Sequence, residues 1–246
     1  MADEFASYKV DIEHLVFVTH AVPPERVQPY LPEDLQLDTI EGPEGEDVAL
    51  VTVTCCLNRN MCWAPSDEVS IDFHQSTYRT YVRHGDERAV FFPGNYVEKG
   101  TNHVFERLAM ENTFAAEFDV STSYYADTRS YPRYYCEALS DGGDTIIQVS
   151  SSGDEPEAST PFHSGQELVQ FITNRLVAYF PMPGGLLGKM AVEHEKMNPV
   201  QAELLAGQFD LWEELEILRP EEFEQPYSVL IQPSVQLTGY PPEVVE

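Results

Sequence analysis

Residues 48–57, Val-Ala-Leu-Val-Thr-Val-Thr-Cys-Cys-Leu, form an uncharged run rich in β-branched side chains. Such side chains are stiff at χ1 and fit extended backbone, and ten residues are too few to span a bilayer as a helix. The run therefore predicts a buried strand. Segments of related character recur at 69–83, 89–96, 115–125, 133–139, 145–150, 188–195 and 227–240. Between two of them, Asp141-Gly142-Gly143-Asp144 is a strong turn signal and predicts a hairpin. Helical periodicity is rarer. Residues 24–31 open on a proline suited to a first turn, and 103–112 form a second candidate. The third, 166–180, places Leu168, Phe171, Ile172, Arg175, Leu176 and Tyr179 at helical spacing. Many strands with three interspersed helices predict a mainly β protein: a large, mostly antiparallel β-barrel with a few outer helices. At 246 residues the chain suits one domain over 1–246, with 41–47 and 150–159 as acidic surface loops.

Charge narrows the partners. Forty-two acidic residues oppose fourteen basic ones, a net charge of −28, and the acids are spread along the chain. A surface of that sign repels phosphate backbones and anionic lipid, so neither nucleic acid nor a membrane is expected as a partner. Self-repulsion at this charge is relieved by screening, which favours adaptation to high salt. No run of eighteen apolar residues exists, and Met1–Phe5 lacks the basic and apolar regions of a secretory signal, so a cytoplasmic location is expected. The four cysteines, Cys55, Cys56, Cys62 and Cys136, contain no CxxC pair and are read as free thiols. The sequence leaves open whether the chain forms a homo-oligomer.

Several residues are candidates for chemistry. Strand alternation in 69–83 puts Val69, Ile71, Phe73, Gln75, Thr77, Arg79 and Tyr81 on one face, which begins apolar and turns polar. Gln75, Arg79 and Tyr81 are thus expected to line a barrel interior, where polar groups need partners or a ligand. The alternative is a barrel mouth with Arg79 paired to an acid. Arg129 and Arg133 sit among Tyr124, Tyr125, Tyr131, Tyr134 and Tyr135, a group fitted to a carboxylate or to edge packing. His103, Arg107 and Glu111 fall on one helical stripe. His194 lies in Glu193-His194-Glu195, but Asn198 replaces the second histidine of a zinc motif, so no metal or other cofactor is expected. His20 is isolated and reads first as a structural histidine.

Three stretches resemble an uncharacterised family, the YqjF type, within the acetoacetate decarboxylase-like superfamily. His20-Ala21-Val22-Pro23-Pro24-Glu25-Arg26 through Leu31-Pro32 is similar to that family's opening. Gln75 to Val82 followed by Ala89-Val90-Phe91-Phe92 resembles "E-L-N-x-R-T-Y-V … G-V-x-F". Gly165 to Tyr179, with Gly184-Gly185-Leu186 to His194, resembles a helix and the strand after it, and the likeness spans roughly residues 8–240. It implies a large barrel with helices outside. The superfamily's decarboxylases form a Schiff base on a lysine whose pKa is depressed by desolvation and a neighbouring cation. Here the matched position is Phe114, and Lys9, Lys99, Lys189 and Lys196 all lie elsewhere. Gln75 stands where the family pattern has an acid.

The expectation is a pocket that binds a small organic acid or polar metabolite, with Gln75, Arg79, Tyr81, His20, Arg107, Arg129 and His194 as candidate ligand-binding residues. Two alternatives stand beside it. One is a lyase- or hydratase-type enzyme using His20, Tyr81 or His194 as proton carriers; the other is a structural or interaction barrel with a filled lumen.

The charge carries its own prediction. Thermal unfolding followed from low salt to several molar KCl should show Tm rising by many degrees, whereas a non-ionic osmolyte of matched strength should not reproduce the rise. A midpoint flat in salt contradicts it.

Overall fold

The structure is a computed structural model describing residues 7–64 and 69–245; the residues read for an export signal lie outside this range. The first strands are β1 (Tyr8–Val22), β2 (Gln36–Leu37), β3 (Ile40–Glu41), β4 (Asp47–Trp63), β5 (Ile71–His84) and β6 (Glu87–Glu98). Next come β7 (Thr113–Tyr125), β8 (Ser130–Leu139) and β9 (Thr145–Ser151). The last are β10 (Val177–Met182), β11 (Leu186–His194), β12 (Val200–Gln201), β13 (Glu203–Phe209), β14 (Ser228–Gly239) and β15 (Glu243–Val244). The helices are short: α1 (Pro24–Val27), α2 (Asn102–Arg107), α3 (Gly165–Thr173) and α4 (Asp210–Glu214).

Strand pairing runs β5–β6–β10–β11–β14–β1–β4 and returns to β5, so seven strands form a ring. All neighbours in it are antiparallel except β6 and β10. From β6 a second arm leaves through a parallel pairing with β7 and continues to β8, β9 and β13. The fold is thus the mainly β, mostly antiparallel architecture expected from the sequence. The 141–144 turn joins β8 to β9 as predicted, with Cys136 opposite Ile147 and Gly143 at φ +102°, where a Cβ would be strained.

Ring strands β1, β4 and β5 are buried on both faces. Val16, Val18, Val51, Val53 and Tyr78 belong to one core with Tyr134, Ile147, Val149 and Phe209 from the arm and Trp212 from α4. Leu15, Phe17, Leu50, Cys56 and Tyr81 point the other way, into a core shared with α3. This is why 48–57 reads as a continuous apolar run: a strand buried on both faces has no solvent side to alternate towards. Each fully buried Val, Leu or Phe contributes about 1.5–3 kcal/mol.

Four expectations are corrected. The helix expected over 166–180 ends at Thr173, and Val177–Met182 is strand β10. Val177, Tyr179 and Phe180 suit extended backbone, and β10 closes the ring between β6 and β11, so tertiary pairing overrides the helical spacing of Arg175 and Tyr179. The helix expected over 103–112 ends at Arg107, which leaves Glu111 off its stripe. Val69 precedes β5 and is 74% exposed, so the shared face begins at Ile71. Cys55 and Cys136, read as free thiols, form a disulfide joining ring strand β4 to arm strand β8; their separation of 81 residues gave no spacing signal. Cys56 and Cys62 are free.

Candidate functional site

The ring encloses a cavity of about 160 Å³. Its lining includes Phe73, Gln75, Thr77 and Arg79 from successive same-face positions of β5, and Thr54, Cys56 and Asn58 from β4. From the ends come Phe105 of α2 and Leu108 directly after it, and Thr173 and Arg175 at the C-terminal end of α3. Phe73 and Arg79 are six residue steps apart along the strand, about 20 Å of backbone.

Helix α3 organises the polar end. Ser164 caps it, its hydroxyl accepting from the Glu167 amide at 3.2 Å, while the Glu167 carboxylate accepts from the His163 amide at 2.8 Å. Leu168, Val169, Phe171 and Ile172 bury one face against the ring. The last-turn carbonyls of a helix lack intrahelical partners and carry partial negative charge. Two of them accept from arginines: Ile172 O from Arg79 Nη2 at 3.1 Å, and Phe171 O from Arg175 Nε at 2.9 Å.

The two guanidiniums flank the Tyr81 ring, with Cζ atoms 5.7 Å (Arg79) and 5.2 Å (Arg175) from its centroid, and Arg79 also lies 4.9 Å over Phe17. Their counter-charges differ. Arg175 is only 2% exposed and donates through Nη1 to the buried Asp38 carboxylate at 2.7 Å. Arg83 and Arg88 donate to the same carboxylate from the solvent side, at 2.7 and 2.8 Å. Burial alone would push the Asp38 carboxyl up, but the hydrogen bonds from the three arginines outweigh it and hold the group below the usual carboxylate range. Burial pulls the Arg175 guanidinium down, against the opposing pull of Asp38. Arg79 makes no ion pair among the described residues. Buried Nε of Arg79 and buried Nη2 of Arg175 have no hydrogen-bond partner among the described residues.

Beside Arg79, an amide chain fixes Gln75. Its Oε1 accepts from Asn58 Nδ2 at 3.0 Å and its Nε2 donates to Asn95 Oδ1 at 2.8 Å, so the second Nε2 hydrogen has no partner among the described residues. Asn58 Nδ2 also approaches Cys56 Sγ at 3.8 Å; burial pushes that thiol up to about 12, so it stays protonated at neutral pH.

The structure brings Gln75, Arg79 and His194 to the cavity lining. His194 lies at its edge, with Nδ1 2.8 Å from Glu195 O, and also lines an outer depression with Lys196 and Asn174. Tyr81 lies beneath the arginines, its hydroxyl bonded to Thr52 Oγ1 at 2.9 Å, and does not line the cavity. His20 faces the core between ring and arm: its Nε2 is 3.0 Å from Phe223 O, its ring packs on Phe209, and burial lowers its pKa. Arg107 stacks 4.8 Å over Trp63, away from the cavity. Arg129 sits on the turn between β7 and β8 and donates to Asn198 O, and Tyr131 and Tyr134 of its group are core residues. Sequence reasoning missed Arg175, Asp38 and Asn58. The one visible signal was a charged residue, Arg175, within an otherwise apolar helical stripe.

The described lining contains no Lys, Asp or Glu. Lys99 pairs with Glu117 and Lys189 with Glu87 on outer surfaces, and Phe114 packs against Tyr96 outside the lumen. Among the described residues no group of three or more His, Cys, Asp or Glu could hold a metal ion, and no helix is long and apolar enough to cross a membrane.

The model of DUF2071, an uncharacterized conserved protein family (COG2071), matches residues 9–236. No curated protein matches the sequence. Among solved structures, the enduracididine biosynthesis enzyme MppR complexed with pyruvate superposes with a TM-score of 0.64 at 13% identity, covering 98% of this chain and 90% of that one. An acetoacetate decarboxylase-like enzyme from Sphingomonas wittichii RW1 gives 0.60 at 11% identity, over 99% and 94%. Acetoacetate decarboxylase from Legionella pneumophila gives 0.58 at 14% identity, over 98% and 88%. At these identities the likeness establishes an acetoacetate decarboxylase-like fold.

The Asp38 cluster yields a stability prediction. Replacing Asp38 by Asn leaves a buried guanidinium without its counter-charge and should cost about 3–5 kcal/mol by urea unfolding at pH 7. The Asp38 pKa is depressed on folding, so its contribution is present above the unfolded value near 4 and is lost as pH falls through the lower folded value. Asp38→Asn should therefore lose stability less steeply below pH 4 than the wild type.

Proposed function

The chain belongs to the DUF2071 family of uncharacterized conserved proteins, and we propose that it is of the YqjF type it resembles and binds a small organic acid in the ring cavity without forming a Schiff base. The observation that carries this reading is Arg79. It lines the cavity, makes no ion pair among the described residues, and keeps a buried Nε–H without a partner. A buried donor left unmatched costs about 1–3 kcal/mol, more when charged, and a carboxylate oxygen would meet that need. Arg175 Nη2 offers a second N–H and the free Gln75 Nε2 hydrogen a third. A structural neighbour of the same fold holds pyruvate, a small carboxylate, which supports the ligand class.

Binding rather than turnover fits the lining. The superfamily's Schiff-base chemistry needs a cavity amine, and the described lining has none. The protonated Cys56 thiol is a poor nucleophile. Of the candidate proton carriers, His194 alone lines the cavity.

Titration calorimetry with short carboxylic acids and their uncharged amides tests the proposal. Acids should bind and amides should not. Arg79→Lys keeps the charge but loses the planar fork and should weaken binding at least tenfold; Arg79→Met should abolish it with Tm nearly unchanged. Equal binding of acid and amide, or full binding by Arg79→Met, refutes the carboxylate role. Borohydride trapping with acetoacetate should leave the protein mass unchanged, and an adduct on any lysine refutes the non-covalent reading.

A further inference from the structure

The carboxylate reading describes one end of the cavity and leaves the rest of the ligand undefined. Along β5 the lining passes from Arg79 through Thr77 and Gln75 to Phe73. At the Phe73 end the walls are Phe105, set edge-to-face on Phe73 at 5.9 Å, with Met61, Leu108, Met110 and Met190. These are uncharged, and the hydroxyl of the nearby Tyr8 is already directed at Met190 Sδ, 3.7 Å away. The cavity is therefore two-ended, cationic beneath α3 and apolar beside α2.

We infer that the ligand is a monocarboxylic acid of about six to nine carbons in all, its carboxylate at Arg79 and Arg175 and its apolar body among Phe73, Phe105 and the methionines. This rests on the carboxylate reading above and extends it. Volume sets the size: a dry apolar cavity of about 150 Å³ accommodates benzene, and this one measures about 160 Å³. A two- or three-carbon acid would leave the apolar half without contacts, which forfeits dispersion and hydrophobic transfer. A second carboxylate at that end would be buried among uncharged side chains without a donor, so a dicarboxylate is disfavoured. Met61, Met110 and Met190 have flexible thioether side chains that adapt to body shape, so straight-chain and phenyl-bearing acids are both admitted.

The test is calorimetry on the full-length protein with straight-chain acids from acetate to dodecanoate, together with phenylacetate, pyruvate, adipate and octanamide. Affinity should rise about fourfold per methylene, reach a maximum at six to nine carbons, and fall beyond it, with adipate much weaker than hexanoate. Met110→Phe fills the apolar end and should move the maximum to shorter acids. Pyruvate or acetate binding as tightly as octanoate overturns this inference and leaves the carboxylate reading intact. An unmoved maximum in Met110→Phe overturns the placement of the body. Octanamide binding as well as octanoate overturns the carboxylate reading instead, and failure of every acid to bind overturns both.

Discussion

The cavity depends on one short helix end. The Phe171 and Ile172 carbonyls, left over where α3 stops, each accept from a guanidinium that the ring surrounds. Without those acceptors Arg79 and Arg175 would be cations facing apolar walls, an arrangement that costs several kcal/mol. Asp38 completes the hold on Arg175 and ties it to Arg83 of β5 and Arg88 of β6. One carboxylate thus fastens the loop between β2 and β3, two ring strands and the end of α3 at a single point. The helix cannot lift away without stranding a buried charge.

The same helix end shapes the ring. Only three residues lie between Thr173 and the first residue of β10, so chain leaving α3 must enter the sheet at once, between β6 and β11. Position 175 sits in that link, which is how an arginine inside an apolar helical stripe becomes a cavity group. Helical period and strand period both fit 175–180 as written, and only the pairing with β6 and β11 separates them. The cavity position of Arg175 was therefore not readable from the sequence, although the residue stood out in its stripe, whereas that of Arg79 was legible because β5 keeps a strict two-residue period from Phe73 to Arg79.

Irregular register explains the other omissions. In β1, Tyr8, Val10 and Ile12 face the cavity, then a bulge between Glu13 and Val16 moves Leu15 and Phe17 onto that face. His14 sits there at φ +53°. The phase change scrambles alternation over 8–22, and no strand is readable from it. β4 does the same between Asn58 and Met61. Its apolar first half betrays it nonetheless, because burial on both faces needs no phase. The Cys55–Cys136 bond and the Asp38 cluster join residues far apart in sequence, which composition and spacing cannot reveal.

The interior opposes the surface. The chain carries −28 overall, yet the polar end of its cavity presents two guanidiniums, of which Arg175 is paired to Asp38 and Arg79 to no carboxylate among the described residues. At long range the surface repels an anion, and that repulsion is screened within about 8 Å at physiological ionic strength and about 3 Å at 1 M salt. At short range the donors are buried, and buried or partly buried charges are screened much less than exposed ones. For the proposed carboxylate ligand, salt would then act differently on the two stages, relieving approach while leaving its contact with Arg79 nearly untouched. An acidic coat and a cationic pocket are therefore compatible, and most so in concentrated salt, where the coat contributes hydration and little field. Selection for the proposed anion would rest on the geometry of a few buried N–H groups rather than on net charge.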